Sequence, residues 1–86
     1  MKTIFKYPFS DSTRIKMPSG AQILSVQFQE HVGICLWALV DPSIKLVERL
    51  FTIIGTGGPI KEELGNFIGK VQTPDRLVWH IFEEKQ

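Results

Sequence analysis

The sequence predicts a mainly β fold, a small antiparallel sandwich or partly open barrel of six to seven strands with one short helix. Three observations carry that expectation. Short apolar runs rich in Ile, Val, Phe and Trp recur along the chain, each closed by Gly, Pro or a polar cluster. Several alternate apolar and polar residues with period two, as a half-buried strand does. Only one stretch, from Pro59 to Gly65, carries helix start and stop residues.

The elements follow in order. Thr3 to Tyr7 is the first strand, closed by Pro8 and the cluster Ser10-Asp11-Ser12. Thr13 to Met17 follows, with Thr13, Ile15 and Met17 on one face and Arg14 and Lys16 on the other; Pro18-Ser19-Gly20 supplies a turn. Gln22 to Glu30 alternates, setting Leu24, Val26 and Phe28 against Ser25, Gln27 and Gln29, so one side is core and one is wet. Glu30-His31-Val32-Gly33 reads as a hairpin loop.

Ile34 to Asp41 is apolar on both faces, with Ile34, Leu36, Ala38 and Val40 on one and Cys35, Trp37 and Leu39 on the other. Such a strand is either central between two layers or part of a subunit interface. Asp41-Pro42-Ser43 breaks the chain, Ile44 to Glu48 reads as an irregular connection, and Arg49 to Ile54 is the next strand. The glycine loop Gly55-Thr56-Gly57-Gly58-Pro59 comes directly after it. Pro59 to Gly65 is the helix candidate, with a proline for the first turn, early acidic residues and a closing glycine. Phe67 to Gln72 and Arg76 to Glu83 form a last hairpin across Thr73-Pro74-Asp75.

A chain of 86 residues fits one domain, residues 1–86, since so short a chain buries only about 60% of its unfolded surface and cannot support two cores. With 43% apolar and 22% charged residues it has the composition of an ordered globular chain. Ten basic residues against nine acidic give a net charge of +1, without the basic excess that drives binding to duplex DNA. The longest apolar runs fall far short of the roughly 20 residues that span a bilayer, so no membrane partner is expected. Lys6 and Pro8 interrupt the apolar stretch that a signal peptide needs, and the lone Cys35 cannot form an internal disulfide. The expected compartment is a reducing cytoplasm.

The segments Lys6-Tyr7-Pro8, Met17-Pro18-Ser19-Gly20-Ala21, Ile23-Leu24-Ser25-Val26-Gln27 and Cys35-Leu36-Trp37-Ala38-Leu39-Val40-Asp41-Pro42 follow one another in a specific order. Glu48-Arg49, Gly55-Thr56-Gly57 and Leu77-Val78-Trp79-His80-Ile81-Phe82-Glu83 complete it. In this order of motifs the chain resembles a family of small, mostly uncharacterised proteins encoded by bacteriophages and prophages. The resemblance covers nearly the whole chain. It implies a viral accessory role in the host-cell cytoplasm and brings no catalytic residue with it.

The glycine loop is neither a Walker A motif nor a dinucleotide fingerprint, for it lacks the closing Gly-Lys-Ser/Thr of the one and the GxGxxG before a long helix of the other. Two readings remain. It is an anion nest in which Gly55, Thr56, Gly57 and Gly58 supply backbone and hydroxyl donors, or a tight connection that needs positive φ. Trp37 and Trp79 are either core anchors or stacking platforms for a nucleobase, with Arg49 and Arg76 as phosphate-binding charges. Cys35 in an apolar strand reads as a packed thiol, and His80 as a histidine making one hydrogen bond. No metal site, cofactor or catalytic carboxylate pair is expected.

These observations lead to a non-enzymatic phage anti-defence protein, a homo-oligomer that binds and sequesters a small nucleotide-type immune signal. Its expected ligand-binding residues are Gly55, Thr56, Gly57, Gly58, Arg49, Arg76, Trp37 and Trp79. The alternative is a protein-binding inhibitor that occludes a host defence enzyme or nuclease through an apolar or sheet-edge surface.

Overall fold

A computed structural model describes residues 1–9, 13–60 and 63–85 of the chain. Among the described residues seven strands form: β1 (Thr3–Pro8), β2 (Arg14–Pro18), β3 (Gln22–Gln29), β4 (Gly33–Val40), β5 (Leu46–Gly55), β6 (Asn66–Gln72) and β7 (Val78–Glu83). All pairings are antiparallel. They build two sheets, β1-β4-β3 and β2-β5-β7-β6, and no closed barrel.

The core lies between the inner faces of the two sheets. Ile15 and Met17 of β2, Leu36, Ala38 and Val40 of β4, Phe51 of β5, Val71 of β6 and Ile81 of β7 are all buried, each at the alternate positions that a strand directs to one side. The sheets approach most closely where β3 lies beside β6. Gly69 permits that approach: a Cβ there would stand 2.8 Å from Val26 Cγ2. Phe9 crosses between the sheets at the other side, edge-on to Phe51 at 5.5 Å.

Simple alternation misassigns one strand. A bulge between Ile23 and Ser25 adds a residue to β3, which turns Leu24 outward to 47% exposure. Ile23, Val26 and Phe28 face the core instead. The two-faced strand β4 is central in its sheet. Cys35 on its outer face is fully buried, whereas Trp37 and Leu39 are half-buried.

Two segments differ from expectation. β5 begins at Leu46, three residues before Arg49, because Leu46 to Leu50 pair along the whole of β2; the ladder hydrogen bonds extend a segment whose own sequence shows no clear alternation. The expected helix from Pro59 to Gly65 does not form among the described residues, where Pro59, Ile60 and Glu63 to Gly65 are irregular; Lys61 and Glu62 lie outside the described residues. So short a segment gains too few internal hydrogen bonds to nucleate a helix. Pro59, Ile60 and Leu64 lie over Thr52 and Ile54 on the outer face of β5 instead. Among the described residues no helix is long and apolar enough to cross a membrane.

Arg49 and Glu83 close one end of the core. Arg49 Nε donates to Glu83 Oε2 at 2.6 Å and Nη2 to Oε1 at 2.7 Å, a bidentate pair. Nη1 donates to the carbonyl of Ala21 at 2.7 Å. One guanidinium thus joins β5, β7 and the turn that leads into β3. The side chains are 17% and 16% exposed, so removing one partner strands a largely desolvated charge.

Glu83→Gln is expected to lower the unfolding free energy by about 2 to 4 kcal/mol, and the double change Arg49→Met with Glu83→Leu by much less. Urea unfolding midpoints at unchanged m-value measure both.

Candidate functional site

Two loops meet at the end of the four-stranded sheet. The first follows β5. Gly58 N donates to Gly55 O at 2.9 Å, and Gly57 has φ +85°, the left-handed third position of a type II turn. A side chain at Gly57 meets nothing within 4 Å, so the glycine serves the backbone angle alone. Thr56 N donates to Val78 O at 3.0 Å and pins the turn to the start of β7. Thr56 Oγ1 lies 2.8 Å from His80 Nε2.

The second loop joins β6 to β7. Thr73 N donates to Leu77 O and Arg76 N to Thr73 O, both at 2.9 Å, which tightens the chain until Arg76 takes φ +69°. The Asp75 carboxylate accepts from the Thr73 hydroxyl and from Leu77 N. Those two bonds, the hydroxyl first, hold the Asp75 carboxyl below its ordinary range. Trp79 Nε1 donates to Thr73 Oγ1 at 3.2 Å, and its ring lies against Gly55, where a Cβ would stand 3.3 Å from it.

Between the loops runs a groove of about 590 Å³ lined by Gly55, Thr56, Gly58, Trp79 and the segment Arg76 to Val78. On the other side of the turn a smaller groove of about 280 Å³ includes Gly57, Ile60, His80 and Phe82. Gly55, Thr56, Gly58, Arg76 and Trp79 are therefore brought together, with Gly57 on the adjoining side. Arg76 is exposed and Trp79 half-buried, so one offers charge and the other a partly accessible ring.

Two expected residues stand apart. Arg49 is six residues from Gly55 along β5, about 20 Å at strand rise, and its guanidinium is held by Glu83 and Ala21. Trp37 is on the outer face of the other sheet, in a depression with Ile4, Leu24, Ser25 and Gln27. The anion-nest geometry is also narrower than the glycines suggest, since the N–H groups of Thr56 and Gly58 are bonded within the protein.

Lys70 is a further cation near the site. It stands opposite His80 in the β6–β7 ladder, a register set by the loop that joins Gln72 to Val78. The expected turn at Thr73-Pro74-Asp75 is two residues shorter than that loop, so it gives no signal for the pair. Away from the loops, burial raises the Cys35 thiol above its ordinary value, outweighing the nearby Lys6 charge. That is the inert state of a packed cysteine. Among the described residues no three His, Cys, Asp or Glu side chains converge on a common point.

The fold and groove define the class first: a small all-β domain of two antiparallel sheets with a groove of about 590 Å³ between strand-end loops. The chain belongs to the family described as "Domain of unknown function (DUF7352)", whose model matches residues 1–86. No curated protein and no solved structure matches it.

Gly57→Ala is expected to destabilise the fold by about 1 to 2 kcal/mol through the left-handed φ alone, read by thermal unfolding. The depressed Asp75 carboxyl makes the second loop's contribution to stability complete above the ordinary carboxylate pKa and lost as pH falls through the lower folded value. NMR titration of Asp75, with the Leu77 amide as reporter, measures this, and Thr73→Ala is expected to move the midpoint upward.

Proposed function

We propose that this chain is a non-enzymatic phage accessory protein that counters host defence by sequestering a small nucleotide-type immune signal, acting in the host-cell cytoplasm. The groove between the 55–58 turn and the 73–77 loop is the ligand site in this reading. The observation that carries it is the convergence of an exposed arginine, an indole and a glycine turn on one cavity. Arg76 supplies a fork of donors suited to phosphate. Trp79 supplies a ring for a base, and Thr56 lines the same groove. A volume of about 590 Å³ falls within the roughly 300 to 1,000 Å³ of small-molecule sites.

Binding without turnover fits the state of the titratable groups beside the groove. The Asp75 carboxylate is engaged by Thr73 and Leu77, and His80 Nε2 by Thr56. The viral setting rests on the motif resemblance described above. The ligand set is revised from the sequence expectation to Arg76, Trp79, Thr56 and the glycines, with Arg49 given a structural role and Trp37 left outside the site.

Native mass spectrometry against a panel of cyclic and ADP-ribose-derived nucleotides tests the reading. A stoichiometric adduct that is recovered unchanged on denaturation is expected. Arg76→Ala is expected to weaken it about tenfold or more, the loss of one charge-assisted phosphate contact, while Trp37→Phe leaves it intact. An absence of adducts across the panel sinks the sponge in favour of the protein-binding inhibitor. A chemically altered nucleotide sinks the non-enzymatic part.

A further inference from the structure

We infer that the ligand of the 55–58 turn carries two phosphate groups, as a dinucleotide does, and straddles the turn with one phosphate toward Arg76 and the other toward Lys70. This rests on the nucleotide reading above and narrows it to a ligand with two separate anionic groups.

The turn is a crest between two grooves. Gly55, Thr56 and Gly58 line both of them. Side chains alternate across β7, so Trp79 lies on the face that buries Ile81, while His80 and Phe82 lie on the outer face. The groove of Arg76 and Trp79 and the groove of His80 and Phe82 therefore open on opposite sides of the sheet's end.

Each side has a cation of its own. Arg76 lines the first groove. Lys70 stands opposite His80 in the β6–β7 ladder, and residues so paired share a face with Cβ atoms about 4.5 to 5.5 Å apart, which puts Lys70 beside the second groove. Both are exposed, and among the described residues neither side chain has a hydrogen-bond or ion-pair partner. No aspartate or glutamate among the described residues lines either groove. The Asp75 carboxylate is turned into its own loop by Thr73 and Leu77, and Glu63 and Glu84 line a third groove with Thr52 and Leu64.

The crest itself is open and offers a donor. Thr56 N and Gly58 N are bonded within the protein. Gly57 N, at the third position of the type II turn, is not the group that closes it, and it has no partner among the described residues. A Cβ at Gly57 would meet nothing within 4 Å, so a ligand can pass close over the backbone there.

Two cations on opposite sides of a crest, with a free N–H between them, match two phosphates and not one. Residues 76 and 80 are at most about 14 Å apart along the chain, a span that two long cationic side chains close from either end. A single phosphate in the Arg76 fork leaves Lys70 without a counter-charge; a second phosphate across the crest supplies it. Each side also has one aromatic ring, Trp79 on the first and Phe82 on the second, where Phe82 is set edge-on to Phe67 at 5.4 Å.

Calorimetric titration separates this inference from the reading beneath it. Cyclic di-AMP, with two phosphates, and cyclic AMP, with one, carry the same base. Cyclic di-AMP is expected to bind about tenfold or more tightly than cyclic AMP. Lys70→Ala is expected to weaken cyclic di-AMP about tenfold and to leave cyclic AMP unchanged, and Lys70→Arg to retain both, whereas Arg76→Ala weakens both about tenfold. In the amide spectrum of the labelled protein, the Gly57 resonance is expected to shift on addition of cyclic di-AMP. Equal affinity for the two nucleotides, or cyclic di-AMP binding that Lys70→Ala leaves unchanged, overturns the straddling ligand and leaves the single-nucleotide reading standing. Binding of neither overturns the inference, and the reading beneath it falls only if the whole nucleotide panel is also silent.

Discussion

One guanidinium fixes how three parts of the fold meet. Arg49 binds Glu83 through two parallel hydrogen bonds and Ala21 through a third, so β5, β7 and the entry to β3 are held in one geometry at the end of the core where apolar packing stops. A core of this size leaves little surplus over chain entropy. An ion pair with fixed fork geometry orients the strands there in a way that apolar contact does not. The same arrangement directs the Arg49 donors to Glu83 and Ala21, within the fold.

At the opposite end of β5 the design is reversed. The chain ends its strand in a glycine turn that Thr56 N ties to Val78 O, and the following hairpin loop folds back on it with its own polar groups bonded within it. Asp75 organises the second loop by accepting two bonds; Trp79 is fixed by Thr73 and by the flat surface that Gly55 presents. Arg76 is left at the rim, on a backbone angle uncommon for a side-chain-bearing residue. The frame thus carries an exposed cation and a half-buried ring on one groove.

Neither feature is independent of the way the sheets end. β3 lies beside β6 where the sheets approach, while β1 carries Lys6 and β2 carries Arg14 and Lys16.

Most of the architecture was legible in the sequence because strand signals are local: apolar runs, period-two alternation and Gly or Pro breaks predict all seven strands to within a few residues. The glycine turn, the packed thiol of Cys35 and the single hydrogen bond of His80 were legible for the same reason. What escaped was non-local. A bulge turns Leu24 out, and a 73–77 loop two residues longer than the expected turn brings Lys70 beside His80; neither leaves a mark in the alternation of its own strand. The early start of β5 comes from its ladder with β2, and the expected helix from Pro59 gave way to packing on β5. By itself the sequence determined an all-β chain, its strands and its turns, since these follow from backbone preference and side-chain period. Tertiary structure alone decided that Arg49 is a clamp, that Trp37 is remote and that Arg76 and Trp79 share a groove, because partners and distances between strands are set by register and not by residue type.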